Sequence, residues 1–314
     1  MRKMVTGLIF GLLFLILGGM ILPMIFRMRT DQNRLYCKDH LREIGIGLMV
    51  EITPNLLVAN KKEDEFPAAT IFLNNQPPDN RLSWLVPMLG NIELEKTKNR
   101  SKPQKTKKIL EGEIADNKNS ENPKKQMKSE LDSPRSYTDL YSKIDWKMPW
   151  DTPENKELFS KKINVFLCPG NPAFLQQEKV NSAFGLTQYV GLGGIGERTP
   201  FMNWKESKNR AGVFCYDEPT PLKAITDGLS QTMAVIETDY QLGSWSQGGT
   251  ATLRTITGEE IHYLGGGLPF GGNHPDGTNI LFADMSVHYF NYQTDAKLFR
   301  SLITISGSED SLKD

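Results

Sequence analysis

His274-Pro275-Asp276-Gly277, followed by Asp284 and His288, is the densest cluster of chemistry-bearing side chains in this 314-residue chain. Two imidazoles and two carboxylates are the ligand types that hold zinc or a similar ion. Their placement argues for something plainer. Asp276 and Asp284 fall at turns, where a short carboxylate bonds nearby backbone amides. Ser286 and His288 share one face of a strand, and Val287 and Tyr289 share the other. The cluster reads as a turn-stabilising set of hydrogen bonds, so no metal ligand and no cofactor is assigned to it.

Other reactive patterns fare no better. Gly191-Leu192-Gly193-Gly194-Ile195-Gly196 has the wrong spacing for a dinucleotide loop, and no helical pattern follows it. It reads as a plain loop. There is no G-x-S-x-G nucleophile elbow. Cys215 sits between Phe214 and Tyr216 in a strand-like run, where a packed thiol is the ordinary outcome. The three cysteines, Cys37, Cys168 and Cys215, form no C-x-x-C pair. No pair of carboxylates has a spacing that nominates it for acid–base work. These absences point away from an enzyme. The 37 basic and 37 acidic side chains balance, which removes any overall pull toward nucleic acid.

The elements that would carry these residues begin with a membrane anchor. Residues 5–26 carry no charge and lie behind a short basic segment, 1–4. About 20 apolar residues in a helix cross a hydrocarbon core of roughly 30 Å. The exit Leu22-Pro23-Met24-Ile25-Phe26 lacks the small-residue pattern of a signal-peptidase site, so the run reads as an uncleaved single-pass anchor. Arg27, Arg29, Arg34 and Lys38 after it outnumber Arg2 and Lys3 before it, which on charge alone places the C-terminal side in the cytoplasm.

Residues 27–94 continue the helix and open the globular part. Cys37, Leu41, Ile44, Leu48 and Ile52 form an apolar stripe at helical spacing. Pro54 ends it. Residues 95–135 hold twelve Lys/Arg, seven Asp/Glu and few apolar side chains, the composition of a disordered insertion. Residues 136–305 have the texture of an antiparallel β domain. Strands are expected over Ile163–Leu167, around Gln188–Gly191, and over Gly212–Tyr216, Thr232–Thr238 and Thr250–Ile256. Asn279–Ala283 and Ser286–Phe290 flank a two-residue hairpin turn, Asp284-Met285. A helix capped by Thr294 or Asp295 closes the domain before a 306–314 tail.

Several of these segments, taken in order, resemble one family. Cys37-Lys38-Asp39-His40-Leu41-Arg42-Glu43-Ile44-Gly45 resembles its post-anchor helix, and Ser83-Trp84 its Ser-Trp segment. Phe166-Leu167-Cys168-Pro169 and Gln188-Tyr189-Val190-Gly191 resemble its Phe-Leu-Cys-Pro and Ser-Tyr-Val-Gly. Ile225-Thr226-Asp227-Gly228, trailing to Glu237, and His274 followed after nine residues by Asp284 complete the set. The family is the bacterial prepilin-type-processing-associated domain, also classed as a solute-binding-protein-like domain of unknown function.

The resemblance implies an α+β, pilin-like architecture: a long N-terminal transmembrane helix packed on an antiparallel β-sheet domain. It implies a structural motif at Asp227, Gly228, His274 and Asp284. It also implies an exported domain on the bacterial inner membrane, against the Lys/Arg count, with the bilayer and pilin-like or secretion-system assemblies as partners. In that packing the helix face bearing Cys37 meets the sheet near Cys168, so the two could form a disulfide. The function expected is that of a non-enzymatic, membrane-anchored pseudopilin-like envelope protein. The alternative is an extracytoplasmic solute- or polymer-binding module, which predicts a pocket lined by Trp204, Trp245 or nearby tyrosines. Two departures stand out. Thr6-Gly7-Leu8-Ile9-Phe10 lacks the Phe and Glu of a prepilin peptidase site, and Met285 stands where the family has Gly. Met does not suit the positive φ of a tight hairpin, so the turn is expected to relax or the motif to have lapsed.

Overall fold

The computed structural model describes residues 2–52, 64–99, 137–169, 183–258, 260 and 262–307. One continuous helix, α1 (Arg2–Ile52), leads into the domain. The short strand β1 (Glu65–Phe66) and the helices α2 (Leu85–Asn99), α3 (Tyr137–Tyr141) and α4 (Pro153–Phe159) follow. Then come β2 (Tyr189–Ile195), α5 (Trp204–Ser207), β3 (Thr220–Pro221), β4 (Met233–Glu237), β5 (Leu253–Ile256), β6 (Gly277–Phe282), β7 (Val287–Asn291) and α6 (Ala296–Ile303). Most side chains of the apolar run 5–26 lie outside the described residues, and among those described no helix is long and apolar enough to cross a membrane. Of the charged insertion, residues 95–99 belong to α2, and the remainder lies outside the described residues.

The stripe on α1 does what its period requires. Cys37, Leu41, Ile44, Leu48 and Ile52 are all buried, and the four aliphatic ones join a core that includes Tyr189, Val235 and Leu281. Two glycines lie within the helix where two partners come close. A Cβ at Gly45 would stand 3.0 Å from Leu281 Cδ1, and one at Gly47 would stand 3.4 Å from Met88 and Ile92 of α2.

The five-stranded sheet has the order β5-β2-β4-β6-β7 and is mixed rather than wholly antiparallel. Three pairings are antiparallel, but β5 runs parallel to β2. The connection after β4 explains this. It crosses the sheet end with Trp245 fully buried, its indole N–H donating to the Lys161 carbonyl, and so delivers β5 to the far side of β2. Alternation assigns the faces. Tyr189, Val235 and Leu281 point to α1, whereas Val190, Leu192, Ile236, Ile280 and Phe282 pack with Phe299 and Ile303 of α6. A register shift between Met233 and Val235 lets Met233 join the second face. Covered on both sides, the central strands read as continuous apolar runs.

Three local expectations are corrected by packing. The strand expected around Gln188–Gly191 runs on through most of the glycine run expected as a loop, as far as Ile195 of β2. Gly191 leaves room for the Phe214 ring, and at Gly194 (φ +97) a Cβ would fall 2.1 Å from the Arg210 carbonyl oxygen. Small residues here admit neighbouring chain, not a ligand. Gly212–Tyr216 forms no strand, only a bridge at Ala211 to Gly194. Ile163–Leu167 forms a 3-10 turn, Asn164–Phe166, which buries Val165 and Phe166 under the helix. The closing helix forms as expected, capped by Asp295, whose carboxylate accepts from Leu298 N.

Candidate functional site

The residues that carried the sequence motif do not stay together. His274 precedes β6 and Asp284 follows it, so a six-residue strand of roughly 20 Å separates them. Asp284 caps the hairpin tip, accepting from Ser286 N at 2.9 Å and Ser286 Oγ at 2.6 Å. Ser286 Oγ in turn meets His288 Nε2 at 2.9 Å. Asp276 accepts from the Tyr289 hydroxyl at 2.6 Å. Asp227 accepts from Gly307 N at 2.8 Å, tying the chain before β4 to the end of α6, and burial raises its pKa. Gly228 adopts φ +100, which explains the glycine there.

The hairpin itself differs from expectation. Met285 N donates to Phe282 O, and Phe282 N donates to Ser286 O, so the loop has three residues, Ala283-Asp284-Met285. That loop length places its last residue in the left-handed region. Met285 complies, with φ 67, rather than relaxing the turn. Its side chain packs beside Gly45 of α1, contact that a glycine could not make.

His274 turns inward instead, to a buried polar cluster where α1 crosses the sheet. Cys37 on α1 and Cys168, just past the 3-10 turn, are joined as a disulfide with their Cα atoms 5.4 Å apart. His274 Nε2 lies 3.7 Å from Cys168 Sγ and 3.5 Å from Glu237 Oε1. Glu237 ends β4 and is fully buried. Its Oε2 accepts from Thr278 Oγ1 and Asn279 N, each at 2.9 Å, and its Oε1 accepts from Asn279 Nδ2 at 3.3 Å. Asn279 Nδ2 also reaches the Arg34 carbonyl of α1 at 3.3 Å. Gln188 Oε1 accepts from Cys168 N at 2.7 Å, and the Tyr189 hydroxyl lies 3.5 Å from the Cys37 carbonyl. Burial, then the Glu237 carboxylate, pushes the Tyr189 hydroxyl well above its ordinary pKa. Tyr292 moves the same way for the same two leading reasons.

This arrangement binds helix to sheet covalently at one point and by side-chain hydrogen bonds around it. Sequence reasoning treated Cys37 and Cys168 as a pair but read His274 with its chain neighbours and gave Glu237 no role. The signal was present in the motifs themselves. Cys37, Cys168, Tyr189, Glu237 and His274 each belong to a different segment of the resemblance, and all five meet here.

A second feature is a cleft of about 650 Å³ on the β5 side. Phe201, Tyr216, Tyr240, Glu197, Asp79 and Arg254 are among its lining residues. Arg254 donates to the carbonyls of Tyr240, Gln241 and Pro269 and to Thr238 Oγ1. Burial lowers its pKa to about 10, which leaves it charged near neutral pH. Trp245 is buried in the core, and Trp204 does not line this cleft. Of the lining expected from sequence, Trp204, Trp245 or nearby tyrosines, the cleft has the tyrosines, Tyr216 and Tyr240, and neither tryptophan.

Helix, mixed sheet and buried polar cluster together define an α+β domain built on its own N-terminal helix. Residues 137–264 match the SBP_bac_10 family, described as a protein of unknown function (DUF1559). Cys168, Asp227, Gly228 and Glu237 fall within that span, whereas Cys37, His274 and Asp284 lie outside it. No curated protein and no solved structure shows significant similarity to the chain.

Proposed function

We propose that this is a non-enzymatic, membrane-anchored, pseudopilin-like protein of the bacterial cell envelope, its domain displayed outside the cytoplasmic membrane. The observation that carries the reading is the division of labour along α1. Its last third is locked to the sheet by the apolar stripe and the Cys37–Cys168 bridge. Its first half continues as helix through the uncharged 5–26 run, and Met24 and Met28 near the exit are exposed. A disulfide that persists favours an oxidising compartment, which supports export over the charge count.

The test uses the full chain in its native membranes. Carbonate washing should leave it in the pellet, N-terminal sequencing should begin at or near Met1, and external protease should reach the domain in spheroplasts. Release by carbonate, or a mature start beyond Phe26, would sink the anchor; protection of the domain in intact spheroplasts would reverse the orientation.

The 650 Å³ cleft favours a second reading, an extracytoplasmic module for a solute or polymer. Aromatic rings beside carboxylates and amides suit a hydroxyl-rich ligand. Oligosaccharide fragments should then raise the melting temperature of the wild type and not of Tyr240→Ala. No shift with any of them removes this reading and leaves the first untouched.

A further inference from the structure

Cys37 Sγ, Cys168 Sγ, His274 Nε2 and a Glu237 carboxylate oxygen all lie within 4.8 Å of one another, and all four side chains are buried. A disulfide satisfies its own sulfurs and needs neither an imidazole nor a carboxylate beside it. Burying a carboxylate is unfavourable unless a cation or several donors compensate. Thr278 Oγ1 and Asn279 N compensate Oε2 of Glu237, while Oε1 has one long bond from Asn279 Nδ2 at 3.3 Å and faces His274 and the sulfurs. That surplus of ligand chemistry is what the bridge leaves unexplained.

Two thiolates, one imidazole and one carboxylate form a closed four-ligand set for a borderline-soft divalent ion. In a tetrahedral zinc site with Zn–S of about 2.3 Å and Zn–N of about 2.0–2.1 Å, neighbouring ligand atoms stand roughly 3.3–3.8 Å apart. His274 Nε2 already stands 3.7 Å from Cys168 Sγ and 3.5 Å from Glu237 Oε1. Every other pair lies within 4.8 Å, so breaking the S–S bond to separate the sulfurs, with side-chain shifts of about 1 Å, completes the set. The hydrogen bonds of Thr278 Oγ1 and Asn279 N to Glu237 Oε2 are of the kind that orient a ligating carboxylate from behind.

We propose that the reduced protein binds one zinc ion through Cys37, Cys168, His274 and Glu237, so that disulfide and metal are alternative occupants of one site. A dithiol reductant delivers two electrons and two protons to the bridge; the S–S bond breaks, two thiols form, and the reductant leaves as its own disulfide. Zinc then displaces the two thiol protons to solvent as two Zn–S bonds form. Loss of zinc and two-electron oxidation by a disulfide oxidant restore the bridge. Either occupant pins α1 to the sheet at the same point. The inference concerns the domain alone and stands whether or not the chain is a membrane protein.

Full-length protein in detergent, reduced with dithiothreitol and desalted without oxygen, is titrated with cobalt(II) and then with zinc. The expected result is one equivalent of cobalt, with thiolate-to-cobalt charge-transfer bands and the intense visible absorption of a tetrahedral ion, both abolished by one equivalent of zinc. Oxidised protein should give no such spectrum. Cys215→Ser should leave the reduced titration unchanged, and His274→Ala should weaken binding at least about 10-fold. Near-UV circular dichroism from buried Trp84 and Trp245 reports folding throughout. If the reduced chain loses that signal, zinc should restore it, because metal binding and folding are then linked. A pale octahedral spectrum, equal binding by the oxidised chain, or unfolding that zinc does not reverse would each overturn the proposal.

Discussion

Met285 sits at φ 67, where a non-glycine residue costs about 1–2 kcal/mol. The chain tolerates this because the side chain packs against Gly45 and the core beneath it. Two substitutions separate the terms. Met285→Ala keeps the strain and loses the packing. Met285→Gly loses the packing but also the strain, at some cost in unfolded-state entropy. The glycine variant should therefore be the more stable of the two by about 1 kcal/mol, read from denaturant midpoints at equal slope. An alanine variant as stable as the glycine one would mean the turn had changed type. Cys215 offers a second test at this scale. Burial, opposed by its hydrogen bond to the Glu218 carbonyl, pushes its thiol up to about 11. An ordinary thiol of pKa about 8.5 is substantially ionised at pH 8, whereas this one is thiolate in about one part per thousand. Iodoacetamide should modify Cys215 slowly in the native state at pH 8, faster as pH climbs toward 11, and fully only on unfolding. Rapid native labelling at pH 8 would contradict the buried, protonated thiol.

Between elements, the closest approach to test is α1 against the β6–β7 hairpin at Gly45. A Cβ there already meets Leu281 Cδ1 at 3.0 Å and Met285 Cβ at 3.5 Å. Gly45→Val adds two further methyl groups to that contact. Overpacking of this kind costs about 1–3 kcal/mol, more than the roughly 1 kcal/mol that replacing a helical glycine can return. The thermal midpoint should fall by roughly 2–10 °C; an unchanged midpoint would mean helix and hairpin are looser than their contact distances indicate. The same junction shows what the sequence could and could not disclose. The stripe from Cys37 to Ile52 was legible because a helix buries every third or fourth residue. The closing helix was legible from its cap. The second half of β2 was not, because its glycines answer to Phe214 and to the Arg210 carbonyl, which lie distant in sequence. The parallel pairing of β5 depends on a crossover whose anchor, Trp245, looked like a binding residue. The buried cluster draws on α1, a 3-10 turn, β4 and a loop, and no local period links them. His274 was misgrouped for the same reason: its chain neighbours Asp276 and Asp284 were visible, and its spatial neighbour Glu237 was not.

At the scale of the whole molecule, α1 serves as part of the domain rather than an appendage to it. Leu41, Ile44, Leu48 and Ile52 are at most 6% exposed. Burying a side chain of this type contributes about 1.5–3 kcal/mol, so the four supply roughly 6–12 kcal/mol as an upper figure. The Cys37–Cys168 bridge, spanning 131 residues, adds about 5 kcal/mol by loop-closure entropy, again an upper figure. A typical domain is stable by only about 5–15 kcal/mol in total. Removing the end of α1 thus removes a sum comparable to the entire stability and exposes the facing side chains of Tyr189, Val235 and Leu281. The stripe and the bridge all lie after Phe26 in the chain. A chain starting at Arg27 should therefore fold, keep its bridge and unfold cooperatively near the temperature of the full chain in detergent. A chain starting at residue 53 should lack near-UV dichroism and a cooperative transition. The comparison is made by circular dichroism on both truncations, with non-reducing mass mapping of the first. A folded chain without α1 would show that the sheet is self-sufficient, and a chain from Arg27 that fails to fold would show that the first half of the helix is structural.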